Sequence, residues 1–349
     1  MISVYNICMI RPPLPLTAVP WSAELANVLA DASGAIARLD ARICASSLAP
    51  TWQLRASWTG YGNALRFQNF EIDEIDIISR ECGLHLAGRQ RLETVGDPFS
   101  AIEPWRARLT ESEGRHWRED LPFTFDPPPG WEDAPTLARA LGLLDSWARA
   151  DATIAPWLAF PLVLRRMGLT QRALPCLVTG DPGQRFALDP RPALLKRLLK
   201  QLARSAENGL TRLERLENAA QRAAATIGAQ HRPGKLADLG RIALTRPCLA
   251  ARSLAPMLDL TVSGAGKLLE RATRLGLLVE ISGRETWRSY VTPDVAVSLG
   301  LMAPARGRPR LMPAPSPKLD SVLTAFDAEM AEFEARMARL GGQIRQNMQ

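Results

Sequence analysis

Leucine and alanine recur at spacings of three and four through most of this chain, and that periodicity limits the fold more than any other feature. It runs through residues 23–39, 137–150, 194–201 and 210–227, each with its apolar side chains on one face of a 3.6-residue helix. Pro190 and Pro192 stand where prolines open a helix. Gly209 is expected to break the long basic helical run. Strand signals are scarce. The clearest is residues 277–281, then Ser282-Gly283, then residues 289–292, the pattern of a hairpin. No internal repeat occurs. The expected fold class is mainly α.

Of 349 residues, 46% are hydrophobic and 23% charged, enough for a packed core and about two domains. No apolar run approaches the ~20 residues of a membrane helix; the best, residues 157–164, contains Pro161. Pro12, Pro13 and Pro15 interrupt the N-terminus, so no secretory signal and no membrane partner is expected. Five scattered cysteines (Cys8, Cys44, Cys82, Cys176, Cys248) form no disulfide framework and fit a cytoplasmic location. Eight of the nine tryptophans precede residue 160, so the first half owns the large-aromatic core. The net charge of +7 permits a nucleic-acid partner. From Arg185 to Arg246, thirteen Lys/Arg face five Asp/Glu.

Most chemical signatures fail. Gly264-Ala265-Gly266-Lys267 lacks the hydroxyl residue and preceding strand of a phosphate loop. Cys82 and His85 have ligand spacing, but no second Cys/His pair lies near, and His116 and His231 are the only other histidines. In Glu71–Ile78, Ile72, Ile75 and Ile78 are expected to face inward and the carboxylates to face solvent or a basic surface. No catalytic residue, metal or cofactor is expected.

The strongest local pattern lies in residues 235–300. Residues 236–244 form one helix, ended by Pro247, and residues 249–258 a second. Asp259-Leu260-Thr261 makes a turn in which Asp259 or Thr261 caps the third helix. That helix, residues 262–275, buries Leu268, Leu269, Ala272 and Leu275 and stops at Gly276. A hairpin comes next, with Arg284 and Arg288 near its tip. This order describes a winged helix-turn-helix whose partner is double-stranded DNA. The candidate DNA-binding residues are Ser263, Lys267, Arg271, Arg274, Arg284 and Arg288. Base readout is expected to be poor, because Val262, Ser263, Gly264 and Gly266 open the third helix.

Leu275-Gly276-Leu277-Leu278, Ser282-Gly283-Arg284 and Tyr290-Val291 resemble the winged-helix tail of many Fic-family proteins and bacterial regulators. The apolar, proline-bearing segment 157–179 resembles the helix after the Fic catalytic loop. Residues 64–72 resemble an early helix of that family, with Gln68-Asn69 where Glu-Gly is common. The order also resembles plasmid-borne alphaproteobacterial proteins that join such a region to a DNA-binding tail. The Fic signature needs a histidine base, a metal-holding acid, a Gly-Asn-Gly phosphate turn and two arginines. Alignment on Pro161 puts Ser146 at the histidine and Ala150 at the acid. Asp151, Ala152 and Thr153 fall on the turn, and Ile154 and Trp157 on the arginines. The resemblance therefore implies a Fic-like domain, residues 1–184, without its catalytic centre.

Residues 185–234 are expected to be basic connecting helices and residues 301–318 a linker, with Pro304, Pro309, Pro313, Pro315 and Pro317. Residues 319–342 form an amphipathic helix with seams of Leu319, Phe326, Phe333, Leu340 and Leu323, Met330, Met337. Asp320, Asp327, Glu329 and Glu334 flank them against Arg336, which disfavours a parallel homodimer. Docking on the chain's own helical domain, or on that of a second subunit in a homo-oligomer, is the expectation. The function read from the sequence is a DNA-binding transcriptional regulator with a non-catalytic sensor or assembly domain. The alternatives are a Fic-descended nucleotidyl-transfer enzyme with a rearranged site, or a winged helix used for protein contacts.

Overall fold

The computed structural model describes residues 15–72, 74–83, 97–111, 116–128, 130–182, 191–282, 288–298, 300–303 and 328. By its contacts the chain divides into Met1–Met302 and Ala303–Gln349. The expected amphipathic helix lies outside the described residues except for Ala328, which is helical and exposed; the linker beyond residue 303 lies outside them too.

Ser22 starts the first helix, α1 (Ala23–Ala45), its hydroxyl accepting the Leu25 N–H at 3.2 Å. The buried stripe Leu25, Ala32, Ile36, Leu39 and Ile43 lies along α7 (Arg191–Gly228), the longest helix described. Between them in sequence come α2 (Ala49–Phe67), α3 (Glu74–Glu81), α4 (Ile102–Thr110), α5 (Thr136–Ala150) and α6 (Ala155–Arg166). Of the eight early tryptophans, all but Trp21 are buried, as the aromatic bias predicts. Trp105 Nε1 donates to the Leu158 carbonyl at 2.7 Å. Asp40 is buried and accepts the Gln171 and Arg172 N–H groups at 2.8 and 3.4 Å, which pins α1 to the loop after α6. Ile72, Ile75 and Ile78 are buried as expected, and Ile77 joins them.

The expected break at Gly209 does not occur. α7 continues through it for 38 residues, roughly 57 Å at 1.5 Å per residue. Gly209 serves packing instead. Leu39, Trp52 and Cys176 converge on it, and Trp52 Nε1 donates to its carbonyl at 3.0 Å. The loss in helix propensity is accepted because three side chains need the space a Cβ would take. Leu194, Leu198, Leu202, Leu213 and Leu216 of α7 belong to the same core as α1, α2 and α5.

The next elements are α8 (Leu236–Thr245), β1 (Cys248–Ala250), α9 (Ala251–Leu258), α10 (Val262–Arg274), β2 (Val279–Glu280), β3 (Ser289–Val291) and α11 (Pro293–Ser298). This is the element order of a winged helix-turn-helix, and the sheet runs β1-β3-β2, all antiparallel. The two strands of the expected hairpin pair antiparallel, with Val279 opposite Val291 and Glu280 opposite Tyr290; residues 283–287 between them lie outside the described residues. The second helix is shorter than expected, because residues 248–250 pair with β3 before the chain turns helical. Ala265, Leu269 and Ala272 are the buried residues of α10, while Leu268 and Leu275 are half-buried. Gly276 ends the turn at φ +70°, the left-handed conformation that glycine tolerates.

Strand alternation gives the sheet two apolar faces. Cys248 and Val291, opposite each other, enter the large N-terminal core, with Val295 and Ala296 of α11. Leu249 and Tyr290, the next pair, enter a smaller core with Leu236, Leu254, Ala265 and Leu269. The fold is mainly α, with eleven helices and one small sheet among the described residues. None of those helices is long and apolar enough to cross a membrane.

Candidate nucleic-acid interface

The turn between α9 and α10 is built from three consecutive residues. Asp259 takes φ +53° and ends α9. The Leu260 N–H bonds back to Ala255 O at 2.9 Å. Thr261 caps α10, its Oγ1 accepting the Gly264 N–H at 3.1 Å. This fixes the direction in which α10 leaves the turn, and so which side chains meet solvent.

Ser263, Lys267, Glu270 and Arg274 are exposed on α10, at steps of four, three and four that keep them on one face. Lys267 and Arg274 form no ion pair among the described residues. Glu270 lies between them, and Arg288 at the base of the wing reaches it at 3.2 Å and Glu280 at 3.8 Å. A hydrogen bond with Tyr290, then the nearby Glu280 charge, raises the Arg288 pKa further above its ordinary value. Arg288 therefore cancels a carboxylate that would repel phosphate. Arg271 turns away, donating to Arg232 O at 2.9 Å and Gln230 Oε1 at 3.4 Å, and ties α10 to the segment between α7 and α8. Arg284 lies outside the described residues. Ser263, Lys267 and Arg274 thus share the outward face, Arg288 adjoins it, and Arg271 serves the scaffold.

Sequence reading missed the fastening of this region to the N-terminal helices. Arg55 of α2 donates through Nε to Leu244 O at 2.9 Å and through Nη2 to Ala243 O at 3.0 Å, at the end of α8. Its Nη1 pairs with Asp294 at the start of α11. A charged fork on the last carbonyls of a helix is a favourable cap. Nothing in a linear sequence joins residues so far apart.

The segment aligned with the Fic signature is occupied by ordinary helix-boundary chemistry. Ser146 and Ala150 are exposed on α5. Asp151 Oδ1 accepts the Thr153 N–H at 2.7 Å, and Thr153 Oγ1 accepts the Ala155 N–H at 3.2 Å, which closes the turn into α6. Gln68 Nε2 donates to Thr153 O at 3.0 Å. Trp157 is buried, edge-on to Phe67 at 5.6 Å. A serine hydroxyl is no base near neutral pH, and this turn presents no cation to a phosphate.

No group of three or more metal-ligating side chains occurs among the described residues. Burial pushes the Cys82 thiol up, and those of Cys176 and Cys248 up to about 12, so little thiolate exists at neutral pH. Cys44 is exposed. Iodoacetamide treatment of the native protein should alkylate Cys44 and spare Cys82, Cys176 and Cys248, as read by peptide mapping. Labelling of Cys176 before unfolding would show that the core opens.

No protein-family model matches the chain, and no curated protein matches it.

Proposed function

We propose that this chain binds double-stranded DNA through α10 and acts as a transcriptional regulator, with the N-terminal helices as a non-catalytic sensor or assembly domain. The observation that carries this reading is the outward face of α10, where Lys267 and Arg274 stand clear while Arg288 neutralises the intervening Glu270. Cations at that spacing suit phosphates on the two edges of a major groove. With so few polar groups at the start of α10, most affinity should come from phosphate contacts. On this reading the N-terminal helices are a Fic-like scaffold without Fic chemistry, since Ser146 and Ala150 supply neither base nor metal acid.

The test is retention of the full chain on random duplex DNA across a salt series. The wild type should be retained at low salt and released as salt rises. Lys267→Ala with Arg274→Ala should weaken retention about equally on all sequences and flatten the logarithmic salt slope by about 1.8, two phosphate contacts at about 0.9 each. Wild-type protein that ignores DNA at low salt, or a folded double variant that binds unchanged, would refute a DNA-facing α10.

One observation favours a second reading, in which the winged helix meets protein. Met257 and Val262 flank the α9–α10 turn and are 40% and 51% exposed. Apolar side chains there are of little use against phosphate but suit a partner's apolar surface. Val262→Ser should leave DNA retention intact if DNA is the partner.

A further inference from the structure

From Arg185 to Arg246 the chain carries thirteen basic residues against five acidic ones, and several of them have a place in the fold. Along α7, Arg191, Lys196, Arg197 and Arg212 pair with Asp145, Glu24, Asp181 and Glu74 of the N-terminal region. The loop 229–235, between α7 and α8, differs: its backbone is fastened and its charges are not. Pro233 and Gly234, the latter at φ +52°, turn the chain, and the Leu236 N–H donates to Pro233 O at 3.1 Å as α8 begins. Arg271 of α10 holds the loop from the side, donating to Arg232 O at 2.9 Å and Gln230 Oε1 at 3.4 Å. The loop therefore lies within one arginine side chain of α10.

The Arg271 tie also fixes which flank of α10 the loop occupies. Arg271 is about 40° round the helix from Lys267 and about 60° from Arg274, so the loop borders the outward face. Glu270, which Arg288 reaches at 3.2 Å, is about 100° from Arg271, toward the other flank. The wing base and the loop thus border the outward face from opposite sides. Arg232 is exposed, and its guanidinium makes no ion pair among the described residues. Lys235 is exposed too. Asp238 lies 3.8 Å from it but is shared with Arg241 at 3.5 Å, so two cations face one carboxylate. We propose that the loop 229–235 is a second phosphate-binding element of the DNA interface, with Arg232 and Lys235 on the duplex backbone beside the groove that α10 enters. A fastened backbone that presents outward cations suits phosphates, which position a protein on a duplex without reading its sequence. The proposal rests on the reading of α10 as the DNA-facing helix, and it widens that interface to include an adjoining loop.

The probe is random-sequence duplex DNA, titrated with the full chain across a salt series. Arg232→Gln with Lys235→Gln should keep the wild-type thermal midpoint, since both side chains are exposed. It should flatten the logarithmic salt slope by about 1.8 and weaken binding more than tenfold at about 0.1 M salt. Arg232→Gln alone should give about half that change in slope. Lys200→Gln with Arg204→Gln removes the same charge from exposed positions of α7, roughly 36 Å or more of helix before its end at Gly228. This control should bind as the wild type does. Adding Lys267→Ala and Arg274→Ala to the loop variant should bring the loss of slope to about 3.6. The proposal is overturned if the folded loop variant keeps the wild-type slope, or if the α7 control loses as much; the reading of α10 survives either result. Wild-type protein that ignores DNA at low salt overturns both. A loop variant that loses slope while the α10 variant keeps it would uphold the loop and overturn the reading of α10.

Discussion

Gly60→Ala should lower the stability of this protein by about 2–3 kcal/mol or leave it unfolded. Gly60 lies buried in the middle of α2, where the turn Pro175–Leu177 packs on it. A Cβ built there would overlap the Pro175 carbonyl oxygen and come within 3.0 Å of its carbon and 3.1 Å of the Trp105 ring. That oxygen cannot swing aside cheaply, because it accepts the Val178 N–H at 3.2 Å and belongs to a proline. Alanine gains about 1 kcal/mol in helix propensity over glycine, while overpacking costs typically 1–3 kcal/mol and more against rigid backbone. The second effect wins here. Gly34 of α1 is the opposite case: its added Cβ would meet nothing closer than Arg38 Nη1 at 3.5 Å. Gly34→Ala should therefore gain about 0.5–1 kcal/mol. Urea unfolding decides both through the midpoint, with the slope unchanged. A Gly60→Ala protein as stable as wild type would mean that α2 and the Pro175 turn slide apart freely.

The second large effect belongs to Asp145. This carboxylate is 4% exposed on α5 and pairs with Arg191, itself 7% exposed, at the start of α7, and with Arg149 one turn along its own helix. Removing one partner of a buried pair leaves the other charge poorly solvated, which costs about 3–5 kcal/mol, more than the pair contributes when intact. Asp145→Ala should lose about that much. Asp145→Asn, which keeps an acceptor oxygen but not the charge, should lose less. Thermal unfolding at neutral pH measures both, and an Asp145→Ala loss below about 1 kcal/mol would show that water reaches Arg191.

These two sites also show why some of the fold was legible and some was not. Helix periodicity is a local property, and the stretches at residues 23–39 and 137–150 lie within α1 and α5. The cap of α10, which falls to Thr261 of the two candidates, the Gly276 stop and the two wing strands depend on a few neighbouring residues, and these elements lie where the sequence places them. Gly209 misled because a lone sequence shows its backbone freedom but not that Leu39, Trp52 and Cys176 converge on it. β1 escaped because three residues are too few to show alternation, and its pairing partner is about forty residues away. Within the candidate interface, Lys267 and Arg274 were legible from helical spacing. Arg271 sits only about 40° around the helix from Lys267, yet that step brings it beside Ala272 and within reach of the Gln230 and Arg232 acceptors. Arg55 and Asp294 were beyond any local rule.

The two-faced sheet bears on how such a protein can evolve. A module that moves between genes as a cassette must bury its own apolar surface, and residues 235–298 do not. Lifted out at residue 235, they would carry Cys248, Val291, Val295 and Ala296 into water and leave a matching hole in their former host. A chimera joining this winged helix to a foreign N-terminal half would inherit both defects. Residues on the shared core must therefore be inherited together with the N-terminal helices, while the solvent side of α10 is free to vary by point changes.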